Sequence, residues 1–309
     1  MKKILITGGA GFIASALAER LVQERENYVV IVDNLLTGKK ERLPATTRKN
    51  WHFIKADVNH FDELSSIMVS YQFDYVFHYA AVVGVQRTLN YPVLVLNDIE
   101  GIRNILVLSK NTGVNCVYYS SSSEVYGEAM EETQNEETTP LNSRLPYAVV
   151  KNVGESFLKT FHKEYGLNYT IFRYFNTYGP KQSSDFVISR FLHAALNNEE
   201  IIIHGDGKQS RTFLFINDNV DATVAVFDRQ FFMNEVINVG HEKETTILEL
   251  AKIIIRVTKS KSKIVHYPQL KEGDMVRRRP DNSKMKTLFN RKLISLEEGL
   301  KQIIASENF

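Results

Sequence analysis

The chain has 309 residues, 43% apolar and 24% charged, with 38 basic against 36 acidic side chains and a formal charge of +2. That length can bury the core of one large α/β domain plus a smaller lobe, and so balanced a charge argues against nucleic acid as the main partner. A single cysteine, Cys116, excludes an intrachain disulfide and suits a reducing compartment. No apolar run approaches the ~20 residues of a membrane span, and Met1-Lys2-Lys3, followed by a short apolar stretch and glycines, does not read as a signal peptide. The expectation is a cytoplasmic protein without a membrane partner.

In chain order, short apolar runs alternate with amphipathic segments. Lys3-Ile4-Leu5-Ile6 predicts a buried strand. A helix follows, with Ile13, Leu17 and Leu21 at helical spacing. Tyr28 to Val32, His52-Phe53-Ile54, Tyr75-Val76-Phe77 and Val117-Tyr118-Tyr119 predict further parallel strands. Helices are expected after Pro92 and from about Pro146 to Tyr165, then a strand over Tyr169 to Arg173. This alternation predicts an α/β fold, a Rossmann-type doubly wound parallel sheet with helices on both faces. After Gly179-Pro180 the pattern loosens into a smaller C-terminal α/β substrate-binding lobe, with strands at Ile201 to Ile203 and Val236 to Val239 and a helix at Ile247 to Val257. The expected division is residues 1–180 for the dinucleotide-binding domain and 181–309 for the lobe, with a soft boundary across which segments interleave.

Two local patterns carry chemistry. Thr7 to Ala14 reads T-G-G-A-G-F-I-A, placing Gly8, Gly11 and Ala14 at G-x-x-G-x-x-A spacing between a strand and a helix. Gly8 permits a tight turn, Gly11 lets backbone approach a pyrophosphate, and the helix N-terminus favours the negative charge. Asp33 ends the second strand, where a carboxylate takes ribose hydroxyls and repels a 2′-phosphate, so NAD is expected rather than NADP. Lys39 and Lys40 temper that preference. The second pattern is Tyr147-x-x-x-Lys151, two side chains on one helix face. A nearby ammonium favours the phenolate of a tyrosine whose ordinary pKa is ~10. The preceding Ser120-Ser121-Ser122-Ser123-Glu124 places a hydroxyl near the phenol. No His/Cys cluster has metal-ligand spacing, and His78 and His204 sit in apolar strands as packed or edge histidines.

These motifs resemble those of the extended short-chain dehydrogenase/reductases, in particular the NAD-dependent nucleotide-sugar epimerases, dehydratases and decarboxylases. The resemblance spans the chain: Thr7 to Ile13, Asp33-Asn34-Leu35, Asp57-Val58, His78-Tyr79-Ala80-Ala81, Ser121 to Gly127, Pro146 to Lys151, Arg173 to Pro180, Gly205 to Phe213 and Arg278-Arg279-Pro280-Asp281. It implies that Asp57 and Val58 contact adenine and that Ala80 and Ala81 line the cofactor, with Phe12, Ile13, Asn34, Ser120 and Tyr174 completing its surroundings. Asn97 would support the active site. Ser122 would hydrogen-bond the oxygen being oxidised, with Ser123 beside the substrate. Asn176 and Arg211 would hold the diphosphate, assisted by one arginine of 277–279, Arg278 by its spacing to Asp281. Two departures stand out: Ala14 replaces a third glycine, and Thr212 replaces an acidic residue.

The resemblance further implies oxidation of a nucleotide-diphosphate sugar at C4, with Tyr147 as base, Ser122 assisting and Lys151 lowering the phenol pKa. Epimerisation, 4,6-dehydration, decarboxylation of a uronate and net oxidation all share that step. Glu124 is an acid at a position dehydratases use, and Ser-Ser-Glu is close to the triplet of some decarboxylases, while Ser283 stands where some decarboxylases carry arginine. Epimerisation is placed first on family frequency. A regulator that kept the fold but lost the chemistry would lack Tyr147, Lys151 or Ser122; this chain has all three. A homodimer is expected on the helices near residues 92–112 and 147–165, from apolar positions such as Val149, Val150, Val153 and Phe157.

Overall fold

A computed structural model describes residues 1–128, 131–268 and 277–306. The first half runs β1 (Lys2–Thr7), α1 (Phe12–Leu21), β2 (Asn27–Asp33), β3 (Trp51–Lys55), α2 (Phe61–Tyr71), β4 (Tyr75–His78), α3 (Val85–Asn90), α4 (Pro92–Leu96), α5 (Asp98–Thr112) and β5 (Cys116–Ser122). It continues through α6 (Pro146–Tyr165), β6 (Asn168–Tyr174), β7 (Thr177–Tyr178), α7 (Val187–Leu196), β8 (Ile201–His204), β9 (Ser210–Thr212) and β10 (Leu214–Phe215). The last part holds α8 (Ile216–Arg229), β11 (Glu235–Val239), β12 (Glu244–Thr246), α9 (Ile247–Thr258), β13 (Ile264–Tyr267), α10 (Ser283–Lys286) and α11 (Leu296–Ser306).

Seven parallel strands form the main sheet in the order β11-β6-β5-β4-β1-β2-β3. The pleat sorts each strand's side chains between two cores. In β1, Ile4 and Ile6 join the core with Leu17, Leu21 and Phe227 of α1 and α8, while Leu5 joins the other with Leu64, Ile105 and Leu158 of α2, α5 and α6. Strands wholly covered in this way need near-continuous apolar runs, the signal legible in Val29 to Val32. Helices stop where geometry requires: α5 ends at Gly113 and α6 at Gly166, both left-handed, at φ 78° and 72°. Pro146 opens α6, where a missing N–H costs nothing.

The lobe is built from three two-stranded pairs, β7 with β10, β8 with β13 and β9 with β12, and from α7, α9 and α11. A cut at residue 180 does not separate it cleanly. β11 returns to extend the main sheet beside β6, and α8 packs against α1. Strand order reverses on either side of β1, whose neighbours are β2 and β4, and in such sheets the crevice at the carboxyl ends is where ligands sit. Among the described residues, no helix is long and apolar enough to cross a membrane.

Candidate active site

A cavity of about 490 Å³ opens at that switch point. Its cofactor end is built from strand ends and a helix start. Gly8 has φ 66°, and a Cβ there would lie 2.6 Å from the Ala80 backbone nitrogen, so only glycine allows β1 to turn so close to the chain leaving β4. Gly11, Phe12 and Ile13 then present the first turn of α1 to the cavity, and no side chain caps that helix. Asp33 stands at the end of β2, buried, with Oδ2 accepting from the Ala10 N–H at 3.0 Å and Oδ1 from Leu35 at 2.7 Å. Burial raises its pKa, and those two donors and Arg42 hold the rise back. Asn34, Asp57, Val58, Ala80 and Ala81 line the same end, with the Asn34 amide donating to Asp57 at 2.9 Å.

The other end gathers Ser120, Ser122, Ser123, Glu124, Tyr147, Lys151, Tyr174, Asn176 and Arg278. Ser122 closes β5, and its hydroxyl accepts the Glu124 N–H at 3.2 Å in the 3-10 turn Ser123–Tyr126. One turn of α6 separates Tyr147 from Lys151, whose Nζ stands 5.7 Å from the Tyr147 ring centre and 5.1 Å from that of Tyr119. Gly154 makes room for the Tyr119 hydroxyl against α6, since a Cβ there would overlap it. Asn176 is tied to the Thr212 carbonyl at 3.2 Å, and Tyr174 is held by the hydroxyls of Tyr79 and Thr223.

Arg278 owes its place to a strap over residues 277–282. Gln134 clamps that strap from both sides: its N–H donates to the Arg279 carbonyl, its Oε1 accepts the Arg279 N–H and its carbonyl accepts the Asp281 N–H, each at 2.8 Å. In this extended run Arg277 forms a bidentate pair with Glu244, Arg279 also turns to Glu244, and Arg278 turns inward. Its Nη1 lies 3.4 Å from Ser123 Oγ and 3.6 Å from Glu124 Oε1. Gln134 carries no sequence signal, because its partner lies 145 residues away.

Two expected residues are not on the cavity wall. Asn97 is exposed at the end of α4, and the next residue, Asp98, faces inward instead. A helix turns about 100° per residue, so neighbouring positions face different sides. Arg211 lies on β9, paired with β12, and its Nη1 donates to the Ser210 carbonyl at 2.7 Å. Neither contributes to the cavity lining.

The model of the NAD dependent epimerase/dehydratase family matches residues 4–240. The chain belongs to that family. The resemblance carried by the motifs is thus borne out, and the chain is an NAD-dependent enzyme. It is 38% identical to a UDP-N-acetyl-alpha-D-glucosaminuronate decarboxylase of Bacillus cytotoxicus, over 98% of this chain and 97% of that one. It is 34% identical to a putative UDP-glucose 4-epimerase of Methanocaldococcus jannaschii, over 97% of each. The crystal structure of a UDP-glucose 4-epimerase from Thermotoga maritima with UDP-glucose superposes with a TM-score of 0.91 at 33% identity, covering 98% of this chain and 97% of that one.

The cofactor end fits NAD. The uncapped N–H groups of α1 suit a diphosphate, and the Asp33 carboxylate beside them suits ribose hydroxyls. Electrostatics at the other end are less simple than the Tyr-Lys pattern alone suggests. Burial pushes the Tyr147 phenol well above its ordinary pKa and the Glu124 carboxylate adds to the rise, while Ser122 and Arg278 oppose it. Burial takes Lys151 down to about 8, with Asp98 opposing. His78, pushed down to about 3 by burial and by Lys151, is neutral and bonded to Thr7 at 2.8 Å. The site therefore holds a phenol whose ionisation requires further positive charge or a proton-accepting contact.

Proposed function

We propose that this enzyme oxidises the sugar of a UDP-sugar at C4 and, in the first reading, delivers the 4-epimer. The observation that carries the reading is the convergence of Tyr147, Lys151 and Ser122 at one end of a cavity whose other end fits NAD. Tyr147 takes the C4 hydroxyl proton, Ser122 hydrogen-bonds the same oxygen, and the Lys151 ammonium favours the phenolate. NAD, when bound, supplies the hydride acceptor and its positive ring charge. Return of the hydride to the ring's other face, with the Tyr147 proton transfer reversed, would complete an epimerisation.

A second reading is favoured by Arg278. A guanidinium beside Ser123 and Glu124 suits a carboxylate on the sugar, and the 38% relative is named for a uronate decarboxylase. A ketone at C4 makes a uronate a β-keto acid: the C5–C6 bond breaks, CO2 leaves and C5 takes a proton. Against this stands Ser283, which is exposed and bonded to Asp281 rather than facing the cavity. Proton NMR of the enzyme with UDP-glucose, UDP-N-acetylglucosamine and their two uronates decides. An inverted C4 product supports the first reading, a pentose the second, and an inert panel counts against both.

The assembly belonging to this reading is a cytoplasmic homodimer on α4, α5 and α6. Tyr91 and Val93, 61% and 71% exposed, support it beside the half-buried Val149, Val153 and Phe157, whereas Val150 faces the sheet core. A monomer in sedimentation at micromolar concentration would overturn it.

A further inference from the structure

Lys151 is almost wholly withdrawn from water, at 3% exposure, yet makes no direct ion pair among the described residues. Its ammonium stands over two aromatic rings instead. An isolated buried ammonium tends to lose its proton, so some carboxylate must oppose that loss if the charge is to persist.

The charged and titratable groups around it can be sorted by their partners. On its own helix, Tyr147 is a phenol and Glu155 is committed to Arg173 at 2.7 Å. From β4, His78 is neutral; from β5, Tyr119 is a phenol pushed up by burial. Glu124 pairs with Arg278, and Asp57 stands at the cofactor end, where it accepts from the Asn34 amide. Asp98 remains. It begins α5, which packs against the helix α6 that carries Lys151, and it is 8% exposed and lines the same cavity. Its Oδ2 accepts the Val82 N–H at 2.7 Å, and the Asn59 side chain also holds it, while Asn59 Oδ1 accepts the Gly101 N–H at 2.9 Å. The carboxylate is thus fixed in direction without any cation in contact among the described residues.

We infer that Asp98 is a positioning residue for the reaction: its buried carboxylate is the counter-charge that keeps Lys151 an ammonium beside Tyr147. The inference rests on Tyr147 and Lys151 being the reacting pair. Burial raises the Asp98 carboxyl to about 6, with the Val82 N–H and Lys151 opposing, and lowers Lys151 to about 8. Asp98 is therefore charged above its value and Lys151 below its own, so both charges coexist between them. Neutralising Asp98 leaves that interval's upper limit unsupported, and Lys151 begins to lose its proton near neutral pH.

The direct test is a carbon NMR titration of the protein labelled at lysine Cε, without sugar, with Lys151→Arg identifying the resonance. The expected wild-type midpoint is about 8, and Asp98→Asn is expected to lower it by about one pH unit. Asp98→Glu, which keeps the charge, restores it. Equal midpoints in wild type and the asparagine variant, both shown folded by thermal unfolding, overturn the inference. Should Asp98→Asn fail to fold, the wild-type resonance decides: a second inflection near 6, where Asp98 titrates, is expected, and its absence overturns the inference. In turnover, the basic limb of kcat should move to lower pH by the same amount in Asp98→Asn. A protein inert toward every sugar but showing the NMR shift would sink the functional reading and leave only the charge coupling of Asp98 to Lys151 standing.

Discussion

The two ends of the cavity are built by opposite strategies. The cofactor end uses backbone: a glycine turn, an uncapped helix start and one carboxylate held by two main-chain donors, all within the stretch from Gly8 to Leu35. The sugar end uses side chains drawn from β5, α6, the segment after β6 and the strap at 277–282. Backbone geometry follows from local sequence, whereas side-chain constellations depend on how distant segments meet. Charges differ as well. At the sugar end Glu124 faces Arg278 and Asp98 acts on Lys151, so small changes in one charge move another's proton.

The largest test of this contrast is Tyr147→Phe. Only a hydroxyl is removed, so packing and NAD binding should survive while turnover falls by about 10²–10⁴-fold, the range for general acid–base catalysis. Turnover is measured on the best substrate of the panel and NAD binding by titration. A smaller loss would mean that another group takes the proton. A parallel loss of NAD binding would mean that the two ends are not separable.

Legibility in the sequence followed the same division. Continuous apolar runs gave away the parallel strands, and the glycine turn with Asp33 marked the cofactor end, because each is a local consequence of backbone geometry. Tyr147 and Lys151 were legible because four residues is one helical turn. Other features depend on registers no local pattern reports. The α4–α5 junction falls at Asn97, so the inward residue is Asp98. Arg278 was chosen over Arg277 and Arg279 by its spacing to Asp281, but what turns it to the cavity, the clamp of Gln134 on the strap from 145 residues away, left no local sign. Nor does any spacing show that Gly154 accommodates Tyr119 beneath Lys151. The return of β11 and α8 to the main sheet is likewise a matter of tertiary packing, which blurs the division near residue 180.

A middle-sized effect is expected at the cofactor end. Asp33→Asn should weaken NAD binding by about tenfold, the loss of one charge-assisted hydrogen bond, and narrow the preference over NADP, since the carboxylate would no longer repel a 2′-phosphate. Titration of both dinucleotides against wild type and variant measures this. Equal or tighter NADP binding by the wild type would break the claim that Asp33 sets the preference.

The smallest rate effect, and the sharpest division between outcomes, belongs to Glu124→Gln. The carboxylate lies at the start of the turn after β5, close enough to raise the Tyr147 phenol and 3.6 Å from Arg278. Removing its charge eases ionisation of Tyr147, so simple redox chemistry at C4 should proceed unchanged or a few-fold faster. In a plain 4-epimerase no C5 proton moves, and product formed in deuterated water carries no label there, with either protein. A uronate decarboxylase must instead place a solvent deuteron at C5, because a proton replaces the departing CO2. If Glu124 delivers that proton, the glutamine variant should accumulate the keto sugar or slow at protonation while still oxidising C4. Label at C5 in the wild type would overturn the epimerase reading, and its persistence at full rate in the variant would remove Glu124 from the proton transfer. Unlabelled product at similar rates from both proteins would confine Glu124 to balancing Arg278.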